Sequence, residues 1–269
     1  MKIVAEADYH SGHLAGLTPP AYWNSSGPWK AVQQELWRTR QSIIQKVGRP
    51  DLLILDGDLI DGRGGKSGGT ELITSALIVQ ARMAAECAVA WEAPKVAIAR
   101  GTDYHTNWGG EEWEDLIAES IENKLRQIHG NDFQVEIGDQ LFLNADGVTF
   151  DVKHKTGSAS TPYTGGTGIL KDKMWNEQWY LNGEGQPLAD VVLRAHIHIH
   201  QGIWGIRAGR QWYAIRLPAL QASSRYGTKQ VAHTIDWGLV VFEVEAGKIL
   251  DVQSHIVAIK ANKAVAIKM

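Results

Sequence analysis

Three short, mainly apolar runs each break off into a cluster of acidic and polar residues. Ile3 to Ala7 runs into Asp8-Tyr9-His10, Leu52 to Leu55 into Asp56-Gly57-Asp58, and Lys95 to Ala99 into Arg100-Gly101-Thr102-Asp103. Runs of this length are strands buried on both faces, because a helix needs at least ten residues to repeat its pattern. The segments between them have the helical period. Trp29 to Val47 carries Val32, Leu36, Ile43, Ile44 and Val47 on one stripe, with Gly48 and Pro50 closing it. Residues 71–90 and Glu111 to Ile128 read as two further helices. Strand and helix alternate over the first half of the chain, which predicts a parallel sheet with helices packed on it.

The second half reads differently. Phe133 to Ile137, Gln140 to Leu143 and Val148 to His154 read as strands, with a turn at Asn144 to Gly147. Leu170 to Tyr180 reads as a helix. Val191 to His200, Trp212 to Leu217, Leu239 to Val244 and Ile249 to Ile256 read as strands. Residues 11–28 read as a loop or lid, and 156–168 either as a flexible surface loop or as a loop beside the substrate. No repeat or linker divides the chain, so residues 1–269 are expected to form one domain.

Composition excludes several classes. Lys plus Arg is 27 and Asp plus Glu is 30, a net charge of −3, which gives no basis for non-specific nucleic-acid binding. The single cysteine, Cys87, excludes a disulfide framework and any multi-cysteine metal site, and reads as a small buried hydrophobe on an Ala-rich helix. No stretch approaches the roughly 18 apolar residues of a membrane span. The start, MKIVAEADYH, is too acidic for a secretory leader. A soluble, cytoplasmic protein without membrane partners is the expectation.

The ten histidines carry the argument. Imidazole and carboxylate recur together in Asp8-Tyr9-His10, Gly57-Asp58-Leu59-Ile60-Asp61, Gly101-Thr102-Asp103-Tyr104-His105, His154 and Ala195-His196-Ile197-His198. Four of these clusters stand where a predicted strand ends, and α/β sheets bind ligands at the carboxyl ends of their strands. His196, His198 and His200 alternate, so a continuous strand would set them on one face. Nitrogen and carboxylate donors without thiolate suit Mn, Fe, Zn or Ni better than Mg or Ca. Asp8, His10, Asp58, His154, His196 and His198 are enough donors for two ions if one carboxylate is shared. Asp58 has the two oxygens to share.

In this order the motifs resemble the calcineurin-like metallophosphoesterase family, read as D-x-H, G-D-x-x-D, G-N-H-D/E, a lone H and G-H-x-H, and the compact form is similar to phage and prophage members. Asp8-Tyr9-His10 and Gly57 to Asp61 match fully. Ala195 replaces a glycine in the last motif but both histidines are kept. The third motif departs, with Thr102-Asp103-Tyr104-His105 where the family has Asn-His. The resemblance implies an α/β fold, a four-layer α-β-β-α sandwich of two mixed sheets flanked by helices. It implies one divalent ion held by Asp8, His10, Asp58 and His198. A second would be held by Asp58, His154, His196 and either Thr102 or Asp103. His105 would be the general acid, Asp61 a support for the turn or for a ligating imidazole, and His13 and His200 lining. Arg63, Arg100 and Arg225 are candidate phosphate clamps. The implied activity is phosphoester hydrolysis by a metal-activated hydroxide, with manganese the favoured metal. A phosphodiester, nucleotide or nucleic-acid, is the favoured substrate.

Two other classes compete. One is an amidohydrolase-type metallohydrolase on a barrel, which would begin with H-x-H on its first strand; this chain has D-x-H first and H-x-H late. The other is a metal-bearing binding protein that has lost turnover, for which the altered third motif speaks, with the Trp108 and Trp113 neighbourhood as a partner surface. The sequence names neither substrate nor oligomeric state.

Overall fold

The computed structural model describes residues 1–23, 29–157, 164–225, 228 and 235–259. The expected alternation runs from β1 (Lys2–Glu6) through α1 (Trp29–Val47), β2 (Leu52–Asp56), α2 (Leu77–Val89) and β3 (Lys95–Ala99). The one-turn α3 (Asp103–Thr106) and a two-residue ribbon of β4 (Asn107–Trp108) and β5 (Glu111–Glu112) precede α4 (Trp113–His129) and β6 (Gln134–Gly138). Then come β7 (Leu141–Ala145), β8 (Val148–Val152), α5 (Thr167–Leu181), β9 (Val191–Arg194), β10 (Gln201–Arg207), β11 (Arg210–Arg216), β12 (Trp237–Glu245) and β13 (Lys248–Val257).

Two mixed sheets result. One has the order β13-β12-β1-β2-β3-β6, with β1, β2, β3 and β6 parallel and β12 antiparallel to β1. The other has the order β10-β11-β9-β8-β7, parallel only where β11, β9 and β8 meet. The period of two sorts side chains between layers. Val4, Leu53, Leu55, Val96 and Ile98 face a core with α1, α2 and α4. Ile3, Ala5, Leu52, Ile54 and Ala97 face Phe150, Val152, Val191 and Leu193 of the second sheet. There Phe150 meets Phe242 edge-on at 5.3 Å, a pair worth about 0.5–1.5 kcal/mol beyond its buried area. Ile169 of α5 closes the outer face over Val192 and Ala214. Helix, sheet, sheet, helix is the four-layer sandwich, and it excludes the barrel that the amidohydrolase alternative required.

Several expectations are corrected. The second helix begins at Leu77 rather than 71, because the Thr74 hydroxyl accepts from the Ala76 N–H and holds the chain in a turn. Val191 to His200 is not one strand. It stops at Arg194, and His196 (φ 74°) and His198 (φ 59°) are left-handed, so the alternating imidazoles do not line one strand face. Strand β10 was not anticipated. It pairs with β11 through a hairpin whose turn residues, Ala208 and Gly209, both have positive φ. Residues 11–19 are packed rather than a lid, with Leu17 fully buried and Ser11 bridging to Ile60. Residues 24–28 of that loop and 158–163 of the second loop lie outside the described residues. So do the side chain of Trp108 and any partner surface built on it.

A buried ion pair ties this frame to the site. Arg40 of α1 reaches Glu6 at the end of β1 with two bonds of 2.9 Å, and the Tyr9 hydroxyl donates to the same carboxylate. Both charges are fully buried, so each depends on the other. They fix the chain where it leaves β1, two residues before the first polar cluster.

Candidate metal centre

Five loops leaving β1, β2, β3, β8 and β9 converge at one end of the two sheets. The first two continue the parallel pairing of their strands. The N–H groups of Asp8, His10 and Ser11 donate to the carbonyls of Gly57, Asp58 and Leu59 at 3.0–3.1 Å. The backbone is strained where it turns inward. Asp8, His10, Asp58, His196 and His198 all have φ between 45° and 74°. Such residues cost of order 1–3 kcal/mol each and persist where surrounding structure imposes them. Gly57 and Gly101 allow the loops to close up. A Cβ on Gly57 would lie 2.5 Å from His154 Nδ1, and one on Gly101 would lie 2.2 Å from the Asp58 nitrogen.

Three overlapping groups of donor atoms result among the described residues: Asp8 with His10 and His198, Asp58 with His154 and His196, and His10 with Asp58 and His105. In the first, His198 Nε2 is 3.1 Å and His10 Nε2 3.7 Å from Asp8 Oδ1. In the second, His154 Nε2 is 3.0 Å and His196 Nδ1 3.7 Å from Asp58 Oδ2. Ligands about 2.1 Å from a tetrahedral ion sit about 3.4 Å from one another, so these separations fit a divalent cation in each group. Asp8, Asp58 and His154 are buried, while the His196 side chain is 37% exposed, so the centre opens on the His196 side.

The protonation chemistry also fits a cation. His154 Nδ1 lies 2.5 Å from the Asp56 carbonyl, which can only accept, so Nδ1 carries the hydrogen. Nε2 is left buried and facing the Asp58 carboxylate, 3.0 Å from Oδ2, where it needs a proton or a cation between the two. Burial alone would raise the Asp58 carboxyl, but His154 and His196 outweigh it and hold it well below the usual carboxylate range. Asp8 is likewise held down, His198 and His10 overcoming burial. Burial opposes charge on His10, yet Asp61 and Asp8 lift it to about 10. Asp8 and Asp58 held ionised, beside a His10 pushed to carry charge, describe carboxylates that demand positive charge.

The supporting residues divide clearly. Asp61 Oδ1 is 3.3 Å from His10 Nδ1, the orientation expected of a carboxylate behind a ligating imidazole. Thr102, rather than Asp103, faces Asp58: its N–H and hydroxyl both donate to Asp58 Oδ1, at 2.7 and 3.0 Å. Asp103 is exposed at the start of α3 and joins none of the three groups. His105 Nδ1 is 2.8 Å from the Asp61 carbonyl, which leaves Nε2 as the nitrogen able to carry a transferable proton. Burial and neighbouring His10 lower its pKa. The His13 Nδ1 accepts from the Ala15 N–H, and His200 Nδ1 is held at the Arg216 carbonyl.

Arg100 is no phosphate clamp, because Asp115 and Asp139 occupy its guanidinium at 2.6 and 3.2 Å. Arg63 and Arg225 are exposed, and Arg225 is anchored by its backbone N–H to Glu71. Sequence reasoning missed Glu114, whose carboxylate joins two of the loops, and Asp236, which holds the loop after β9 by accepting from the His200 N–H and donating its own N–H to the His198 carbonyl. An acidic residue in the first turn of a helix is a sequence signal for Glu114; Asp236 offers none.

No protein-family model matches this chain, and no curated protein matches it in sequence. Among solved structures it is similar to a metallophosphoesterase from Sphaerobacter thermophilus, at 14% identity and a TM-score of 0.40, over 97% of this chain and 90% of that one. It is also similar to Vps29 from Chaetomium thermophilum, at 10% identity and a TM-score of 0.42, over 96% and 97%. A predicted phosphoesterase from Streptococcus pneumoniae gives 11% identity and a TM-score of 0.36, over 91% and 83%. Likenesses this distant carry no activity across. No helix among the described residues is long and apolar enough to cross a membrane.

Proposed function

We propose that residues 1–269 form one domain of the calcineurin-like metallophosphoesterase type, a binuclear metal-dependent hydrolase of phosphate esters. The observation that carries this reading is the pair of donor groups, Asp8-His10-His198 and Asp58-His154-His196, set side by side at the carboxyl ends of the strands. Asp8, His10, Asp58 and His198 would hold one divalent ion. Asp58, His154 and His196, with the Thr102 hydroxyl beside them, would hold the other. Such ions supply positive charge for phosphoryl oxygens and lower the pKa of an attacking water. The chain's own residues do the rest. Asp58, which also groups with His10, would be shared between the two ions, Asp61 orients His10, and His105 delivers a proton from Nε2 to the departing oxygen. The favoured substrate is a phosphodiester, a nucleotide or a short nucleic acid, and manganese is the favoured metal. The net charge of −3 argues against long DNA.

Elemental analysis of the purified protein, beside hydrolysis of bis-p-nitrophenyl phosphate and p-nitrophenyl phosphate with added Mn²⁺, tests the reading. Two equivalents of metal and hydrolysis of either ester are expected. Metal-loaded protein inert toward a broad phosphate-ester panel would overturn the enzymatic reading and leave a metal-bearing binding protein.

A further inference from the structure

Glu114 stands in the first turn of α4, fully buried, outside all three donor groups. Both of its oxygens are spent on the backbone of other loops. Oε1 accepts from the Leu59 N–H at 3.1 Å and Oε2 from the Gly101 N–H at 2.6 Å. Leu59 follows Asp58 in the chain, and Gly101 precedes Thr102. Thr102 in turn donates twice to the Asp58 carboxylate. A closed ring runs from Glu114 through Gly101 and Thr102 to Asp58, and back through Leu59. The ring is tight, because a single added carbon on Gly101 would strike both the nitrogen and Oδ1 of Asp58.

We propose that Glu114 is a positioning residue for metal binding, which orients the Asp58 carboxylate through the backbone of the loops after β2 and β3 and so sets affinity for the cation shared with His154 and His196. The proposal rests on the metal-dependent reading above. Its chemical ground is the donor count. Two converging N–H groups need two acceptors on one rigid side chain, and a carboxylate has them. Glutamine has the same shape but only one acceptor, so its NH₂ must face the N–H of either Leu59 or Gly101 and push that loop away. A purely structural Glu114 would lower stability and leave metal affinity alone.

Wild type, Glu114→Gln, Thr102→Val and His196→Ala are stripped with chelator, then titrated with Mn²⁺ by calorimetry, and the metal-free proteins are melted. His196→Ala identifies which binding step belongs to the Asp58-His154-His196 group. Glu114→Gln is expected to weaken that step roughly 10–100-fold, the scale of lost support behind a ligand, while the other step stays within about threefold. Thr102→Val leaves both Glu114 bonds intact, deletes only the hydroxyl donor, and should weaken the same step. If Glu114→Gln fails to fold, Glu114→Asp, which keeps both acceptors on a stem one carbon shorter, decides the relay. Glu114→Gln with wild-type affinity at both steps, or Glu114→Asp with wild-type affinity where Glu114→Gln is unfolded, would overturn the proposal. Wild type that takes up no Mn²⁺ would overturn the metal-dependent reading itself, and this proposal with it.

Discussion

The Nε2 atoms of His10 and His198 face each other across 3.3 Å, with Asp8 Oδ1 within 3.7 Å of both. Two imidazole lone pairs cannot share that space unless a proton or a cation lies between them. Asp58 stands in the same relation to His154 and His196, and it also groups with His10 and His105. Removing charge from Asp58 should therefore reduce binding in both halves of the centre. We expect Asp58→Asn to retain well under half of the wild-type metal, measured by elemental analysis after gel filtration. Retention of two equivalents would contradict a bridging role.

His105 has its Nδ1 engaged at the Asp61 carbonyl, and its ring lies edge-on to His10 at 4.6 Å. As a proton donor it should matter for rate and not for metal. His105→Ala is expected to keep its ions and lose about 10²–10⁴-fold in kcat. Loss of one equivalent of metal would make His105 a ligand through its group with His10 and Asp58.

The space at Gly101 is decided by Asp58. An alanine there puts Cβ 2.2 Å from backbone nitrogen, which no side-chain rotation relieves. The loops must separate, at a cost of about 1–3 kcal/mol, the usual range for overpacking. Gly101→Ala should therefore melt lower and bind Mn²⁺ more weakly, a joint effect to be read by calorimetry and thermal unfolding. Unchanged melting would mean that the loops have room to spare.

Arg40 and Glu6 give a stability test away from the chemistry. Arg40→Met keeps the volume and strands a carboxylate that is fully buried, with Tyr9 the remaining side-chain donor among the described residues. Breaking a buried pair in this way costs about 3–5 kcal/mol. Urea unfolding of Arg40→Met should show this. A loss below about 1 kcal/mol would mean that water reaches Glu6.

Alkaline pH should weaken the fold through the same region. Burial pushes the Cys87 thiol from its ordinary value of 9.0 up to about 12. Burial and Glu6 also raise Tyr9 well above its usual value. Both groups keep their protons longer when folded than when unfolded. The unfolded chain then binds fewer protons, so stability falls as pH rises from about 9 towards 12. One unit above 9, Cys87 alone should contribute a loss of about 1.4 kcal/mol. Urea midpoints at pH 8 and pH 10 measure the slope, and Cys87→Ala should flatten it. An unchanged midpoint in the wild type would show that the thiol is not shielded.

Much of this was legible in the linear chain. The apolar runs at Ile3, Leu52 and Lys95 became β1, β2 and β3 because strands buried on both faces tolerate little else. Trp29 to Val47 became α1 over the same residues, since its stripe and its closing Gly48 are local signals. The carboxylate and imidazole set was legible as well, because those residues stand where the apolar runs stop.

The sequence by itself determined the strand–helix alternation and the supply of donors, both of which depend on neighbours a few residues apart. Only the tertiary structure decided how the donors are aimed. His196-Ile197-His198-Ile199-His200 has the period of a strand, yet the His196 N–H bonds to Asp8, and Asp236 grips both His198 and His200. Those contacts pull the backbone into left-handed turns. Thr102 rather than Asp103 faces Asp58, and Glu114 spans two loops, because bonds between residues 13 to 55 positions apart leave no periodic trace in the sequence. Short-range pattern fixes which elements form, while long-range hydrogen bonds fix where a side chain points.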